Sequence, residues 1–208
     1  QINIKSYNDS SVVEEGPRTY TRLIHIFMLF ERALKLLPGS YKLWKTYIEI
    51  RIKHIRHIPV TSAAYEQVNR VFERALAQKP LMPRLWLNYV KFLFRQGLIS
   101  KTRKVFDSAL VKLPVTQHDR IWSEYLKFAK QSNSRATALS VYKRYLTFTP
   151  QAREDFIDML KETGNWEQVL KQLYEIVLDK SYISPRGTSK EGMWLSIGEI
   201  CGKYGDKL

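Results

Sequence analysis

Apolar residues return every three or four positions through most of this chain, in paired runs separated by polar or turn-forming breaks. Residues at that spacing share one face of a helix. The clearest pair lies in residues 82–114. Leu85, Trp86, Tyr89, Val90 and Leu93 make one apolar face, Gln96-Gly97 interrupts, and Val105, Phe106, Ala109, Leu110 and Leu113 make the next. Ser100 is placed to accept a hydrogen bond from a free backbone N–H of that second helix. Pro114, which has no backbone N–H to donate, stops it. Such a hairpin cannot bury two apolar faces by itself, so it needs neighbours of the same design.

Those neighbours are visible on both sides. A second-type helix is expected over 18–38, with Ile26, Phe27, Phe30, Ala33, Leu34 and Leu37 before Pro38. Hairpins are expected at 40–80, 82–114, 116–150 and 152–180. The first helices carry Trp44 and Tyr47, Trp86 and Tyr89, Trp122 and Tyr125, then Phe156 and Met159. Gly164 breaks the last pair, and Asn165 with Gln168 three residues on reads as a capping box. After a connection over 181–192 that is long for its kind, Met193, Trp194 and Ile197 open the first helix of a further repeat at 191–208. That helix reads as unfinished, as in a fragment of a longer array, whereas residues 1–17 read as a polar lead-in or linker.

The second-helix aromatics Phe30, Phe72, Phe106, Tyr142 and Tyr174 fall 42, 34, 36 and 32 residues apart, and Pro38, Pro80, Pro114 and Pro150 keep the same beat. Periods of roughly 20–50 residues built from paired helices predict an all-α fold, an α-solenoid.

The ordinary tetratricopeptide pattern has Leu-Gly three and four residues after its Trp. Here Tyr47, Tyr89 and Tyr125 follow their tryptophans by three, and the glycine place holds Ile48, Val90 and Leu126. Bulky residues at that crossing hold two helices farther apart. Trp-x-x-Tyr, then an aliphatic-aromatic-Glu-Arg-Ala-Leu helix ending at Pro, resembles the HAT (half-a-TPR) repeat, and Val71-Phe72-Glu73-Arg74-Ala75-Leu76 carries the second-helix motif in full. The resemblance runs from Arg18 onward. Asp107-Ser108, Lys143-Arg144-Tyr145 and Phe156 depart from it and are expected to weaken polar contacts between helices there.

Residues 36–44, 82–86 and 113–118 are also similar to the amino-terminal region of pre-mRNA splicing factors of the Syf/XPA-binding type, kin to crooked-neck-like proteins. The resemblance implies a right-handed superhelix of HAT hairpins. It further implies a non-catalytic nuclear scaffold in the Prp-nineteen-associated complex, partnered by spliceosomal proteins that include other HAT-repeat proteins.

Charge adds a second theme. Thirty-four Lys and Arg against 20 Asp and Glu leave +14, which points to an acidic partner, RNA foremost, or to a long solvated helical surface. Lys91, Lys127 and Lys161 each lie five residues after a first-helix marker and so define a candidate lysine row, flanked by Glu49 and Glu199. Arg51, Lys53, Arg56 and Arg84 form a second candidate patch. Aromatic residues can stack on the bases of a single strand. The regular place of Trp44, Tyr47, Phe72, Trp86, Tyr89, Phe106, Trp122, Tyr125, Tyr142, Phe156, Tyr174 and Trp194 on apolar faces assigns them to the repeat core instead.

No nucleophile, base and stabilising donor recur at a spacing that would make a catalytic site, so an enzyme is not expected, nor a cofactor or small-molecule substrate. Gly187-Thr188-Ser189-Lys190 lacks the spacing of a phosphate loop. His54 and His57, among Arg51, Lys53 and Arg56, read as a solvated basic helix end and not as metal ligands. The apolar run over 23–30 is too short to span a membrane. Cys201 is alone, which excludes an internal disulfide and fits a reducing compartment. Two rival readings stay open: an RNA-binding repeat module using basic faces, and a TPR-like peptide-binding adaptor, against which Ile48, Val90 and Leu126 speak.

Overall fold

The computed structural model describes residues 17–132 and 134–204, so the expected lead-in before Pro17 and the last four residues of the helix expected over 191–208 lie outside the described residues. Among the described residues the fold is all-α. The helices are α1 (Pro17–Leu36), α2 (Tyr41–Ile55), α3 (Ala63–Gln78), α4 (Pro83–Arg95), α5 (Ile99–Lys112), α6 (His118–Gln131), α7 (Arg135–Leu146), α8 (Arg153–Glu162), α9 (Trp166–Leu178) and α10 (Lys190–Tyr204). Short 3-10 turns, Val115–Gln117 and Pro150–Ala152, lead into α6 and α8. The chain forms two compact units, divided within α4 between Tyr89 and Val90.

In the first unit α1 packs on α2 and α2 on α3. Ser40 and Ser62 start the second and third helices, their side-chain oxygens accepting the N–H groups of Leu43 (3.5 Å) and Ala64 (3.3 Å). The apolar faces close over Leu23, Phe30, Leu34, Trp44, Tyr47, Ile48, Val68, Val71, Phe72, Ala75 and Leu76, with Leu85, Trp86 and Tyr89 of α4 equally buried.

In the second unit α5 packs on α6, α6 on α7, α8 on α9 and α9 on α10. The α4–α5 and α8–α9 turns are the same device. Gly97 and Gly164 adopt φ of +72° and +67°, a left-handed backbone that glycine enters without a Cβ clash. The following N–H groups reach back to close the helix end, Leu98 to the Leu93 carbonyl (3.3 Å) and Asn165 to that of Leu160 (3.0 Å).

This device corrects two expectations. Helix α5 begins at Ile99, so Ser100 lies inside its first turn and is not the cap. Asn165 does sit at the cap place of α9, yet its side chain bonds no backbone N–H and the capping box with Gln168 does not form. The glycine turn leaves Leu98 and Asn165 with ψ of 64° and 69°, well short of the extended backbone from which a cap side chain reaches its donor.

Candidate functional site

The side chains singled out by the sequence first meet one another. Trp44 and Trp86 are buried, and each indole N–H donates to the carbonyl of the proline six residues earlier, Pro38 at 2.8 Å and Pro80 at 2.7 Å. The proline that ends one helix thereby fixes the tryptophan of the next. Phe156 also lies six residues after a proline, Pro150, but its ring has no N–H to use. At Trp122 the turn Val115–Gln117 lengthens the approach from Pro114, and the ring instead packs against Tyr145 of α7 and Phe148 in the turn that follows it.

In the second helices α1, α3, α5 and α7 the aromatic ring stacks on the first helix of the next pair. Phe30 lies on Tyr47 (5.4 Å between centroids), Phe72 on Tyr89 (4.9 Å), Phe106 on Tyr125 (4.2 Å) and Tyr142 on Phe156 (5.8 Å). All eight are buried. Such rings are packed away from any base they would need to stack on.

A polar interlock rides on this stack, and the sequence reading missed it. The Tyr47 hydroxyl donates to Glu31 of α1 (2.8 Å), whose carboxylate also receives both arms of Arg74 from α3 (2.9 and 2.8 Å). Tyr89 repeats the first bond with Glu73 (2.8 Å), and Tyr125 with Asp107 (3.3 Å), which also takes Arg144 of α7. Arg74 holds the Glu31 carboxyl below its ordinary pKa, and burial of the Tyr47, Tyr89 and Tyr125 hydroxyls pushes theirs up, Tyr125 to about 12. The departure Asp107 is therefore not a weak point, since it makes both bonds. At Ser108 the arginine place holds a hydroxyl that bonds back to Lys104 of its own helix (2.8 Å).

Tyr174 and Trp194 require correction as core residues. They are 42% and 46% exposed and meet edge-on at 5.5 Å. The buried residues of α9 are Val169, Leu173, Ile176 and Val177, a set that matches Val68, Phe72, Ala75 and Leu76 of α3. Leu173, not Tyr174, thus holds the ring's place, and Tyr174 takes the outward place of Glu73. Trp122 is covered from the helix that follows it, whereas the residues following Tyr204 lie outside the described residues.

The basic candidates divide. Arg51 turns inward: its guanidinium donates to the Tyr47 hydroxyl (2.8 Å) and lies over the Phe27 ring, 4.1 Å from its centroid. It is a clamp within the first unit and not an outward contact. His54, expected to be solvated, is only partly exposed and meets the Phe27 ring edge-on at 5.9 Å.

Lys91 and Lys127 both approach Glu124, at 3.6 and 3.0 Å, so that part of the lysine row is shared with a carboxylate. Lys127 and Lys91 in turn hold Glu124 below its ordinary pKa. Lys53, Arg56, Arg84 and Lys161 are exposed. Among the described residues no three His, Cys, Asp or Glu stand together as metal ligands, and no helix is long and apolar enough to cross a membrane.

Residues 13–151 match the family model described as the pre-mRNA-splicing factor Syf1/CNRKL1 N-terminal HAT repeat. The chain is 41% identical over 180 residues to the human pre-mRNA-splicing factor SYF1, a match covering 86% of this chain and 21% of that one. The Drosophila melanogaster syf1 homolog gives 42% over 181 residues, 87% of this chain and 20% of the relative. Pre-mRNA-splicing factor cwf3 of Schizosaccharomyces pombe gives 39% over 206 residues, 98% of this chain and 25% of the relative. The chain thus spans about a fifth to a quarter of the length of the curated relatives it matches.

Proposed function

This chain belongs to the pre-mRNA-splicing factor Syf1/CNRKL1 N-terminal HAT-repeat family, and from that premise we propose that it is a non-catalytic scaffold segment that organises protein subunits of the spliceosome in the nucleus. The observation that carries the reading is where the aromatic residues went. Tyr47, Tyr89, Tyr125 and their stacking partners are spent on joining successive helices, hydroxyls included. Nothing in that arrangement addresses a small substrate. What the hairpins offer outward is a broad set of charged and aliphatic side chains, the kind of surface on which helical repeats dock protein segments. The partners proposed are spliceosomal proteins, other HAT-repeat chains among them, within the Prp-nineteen-associated complex.

Crosslinking with mass spectrometry on the full-length protein in assembled spliceosomes tests this. The expected result is crosslinks from exposed lysines such as Lys42, Lys53 and Lys161 to other protein subunits. Crosslinks confined to the chain itself would overturn it.

A second reading, direct RNA contact, is favoured by one feature. Between Glu73 and Asp107 there is no carboxylate, while Arg74, Lys79, Arg84, Lys91, Arg95, Lys101, Arg103 and Lys104 all fall there. Phosphate binding by such a segment releases counterions, so RNA retained on a filter at low salt should be lost steeply as salt rises. No retention even at low salt would remove this reading. The peptide-adaptor reading is not favoured, because Ile48 and Val90 are buried in the place where tetratricopeptide hairpins carry a small residue.

A further inference from the structure

The connection between α9 and α10 is tied back to α8 by polar side chains, with Arg186 making the charged contacts from the connection. Arg186 reaches back to α8, donating to Asp158 (2.6 Å) and to Asp155, with Glu154 3.7 Å away. Glu154 is 8% exposed and also accepts from Tyr182 (3.4 Å) and Thr188 (3.3 Å) of the same connection. At its centre stands Ser184. The Ser184 hydroxyl oxygen accepts the backbone N–H groups of Arg186 (3.2 Å) and Thr188 (3.0 Å) and shares a hydrogen bond with the Thr188 hydroxyl (2.7 Å). The residue after it is Pro185, and residues 185–189 are exposed and non-helical.

We propose that Ser184 is a phosphorylation site for a proline-directed protein kinase, and that its phosphate draws Arg186 off α8 and frees the connection. A proline-directed kinase reads a serine followed by proline in a surface connection; Ser184 is partly exposed, and Pro185 and Arg186 form an exposed turn that the Gly187 N–H closes onto the Ser184 carbonyl (3.2 Å). In the transfer the Ser184 hydroxyl oxygen bonds the γ-phosphorus of ATP, the bond from that phosphorus to ADP breaks, and the hydroxyl proton leaves to the kinase's base.

The consequence follows from charge. A phosphoserine carries about −1.5 to −2 at pH 7 with three strong acceptor oxygens. It would stand beside Thr188, which hydrogen-bonds Glu154, and so face the carboxylates of Glu154, Asp155 and Asp158. Repulsion pushes the phosphate away from α8, while charge-assisted bonding recruits Arg186, the cation that now ties the connection there.

The test treats the full chain with a cyclin-dependent kinase and ATP, then maps modified residues by mass spectrometry and follows amide hydrogen exchange over 180–189. One phosphoryl group at Ser184 is expected, absent in Ser184→Ala. Pro185→Ala should slow its addition at least about tenfold while leaving exchange in the unmodified protein as it was, because Ser184 and its bonds remain. Phosphorylation should speed exchange across the connection about tenfold, the range of a local opening. Arg186→Ala should show that faster exchange before any kinase is added and gain little from phosphorylation. Failure to modify Ser184, or equal modification of Pro185→Ala, overturns the site. Modification that leaves exchange unchanged or slower overturns the release.

Discussion

The helices α1–α3 and the helices α8–α10 face the same packing problem and solve it with different chemistry. In the first group Glu31 lies sixteen residues before Tyr47 and bonds its buried hydroxyl. In the second, Lys143 lies the same distance before Met159, and the polar pair is gone at both ends together. A tyrosine alone would have left a buried hydroxyl without its acceptor, a loss of about 1–3 kcal/mol. The replacement is an aliphatic core of Ile157, Met159, Leu160, Leu173 and Ile176, with polar ties moved to the surface, where Arg186 joins the connection to α8. A repeat can thus keep its helical register while exchanging an internal polar lock for an external strap.

The largest effect should come from the shared element, the aromatic face. Trp86→Ala removes a buried indole and its bond to Pro80, and is expected to cost about 3–5 kcal/mol in urea unfolding. An unchanged midpoint would mean that the ring is not core.

Next in size is an alkaline effect that separates the two regions. Burial raises the Tyr125 and Tyr142 hydroxyls from the ordinary 10 to about 12 and also raises Tyr47 and Tyr89. A group whose folded pKa is raised contributes stability that is complete below pH 10 and lost as pH climbs through the folded value. Hydrogen exchange between pH 10 and 12, corrected for intrinsic rates, should therefore open α2, α4, α6 and the α7–α8 contact, where Tyr142 stacks on Phe156, before α9, whose buried face of Val169, Leu173, Ile176 and Val177 does not ionise. Simultaneous opening would contradict this.

Smallest is Arg186→Ala. Its ion pairs are about half exposed, so global stability should fall by less than about 1 kcal/mol. A loss as large as that of Trp86→Ala would show the strap to be part of the core.

The aromatic positions were legible in the sequence because burial imposes a period, and Trp44, Trp86 and Trp122 mark it three times. The interlock was also written there, though harder to see. Glu31 and Arg74 are 43 residues apart, one repeat plus one, so the signal appears only when Glu-Arg in one repeat is compared with Glu-Arg in the next. Tyr174 misled because an aromatic one place from the expected position looks like the motif, while the helix buries Leu173. The fold-back of Arg186 had no sequence signal, since an irregular connection carries no period and its partners lie 28–31 residues away.

The most direct measurement is a double-mutant cycle on Glu31→Gln and Arg74→Met, with the matched cycle on Asp107→Asn and Arg144→Met, read by urea unfolding. If the interlock joins successive repeats, each pair should show a coupling of about 0.5–1 kcal/mol, with the double variant less destabilised than the sum of its singles. Strict additivity in both cycles would mean that the carboxylate, tyrosine and arginine merely lie near one another, and that the repeats are held in register by apolar packing alone.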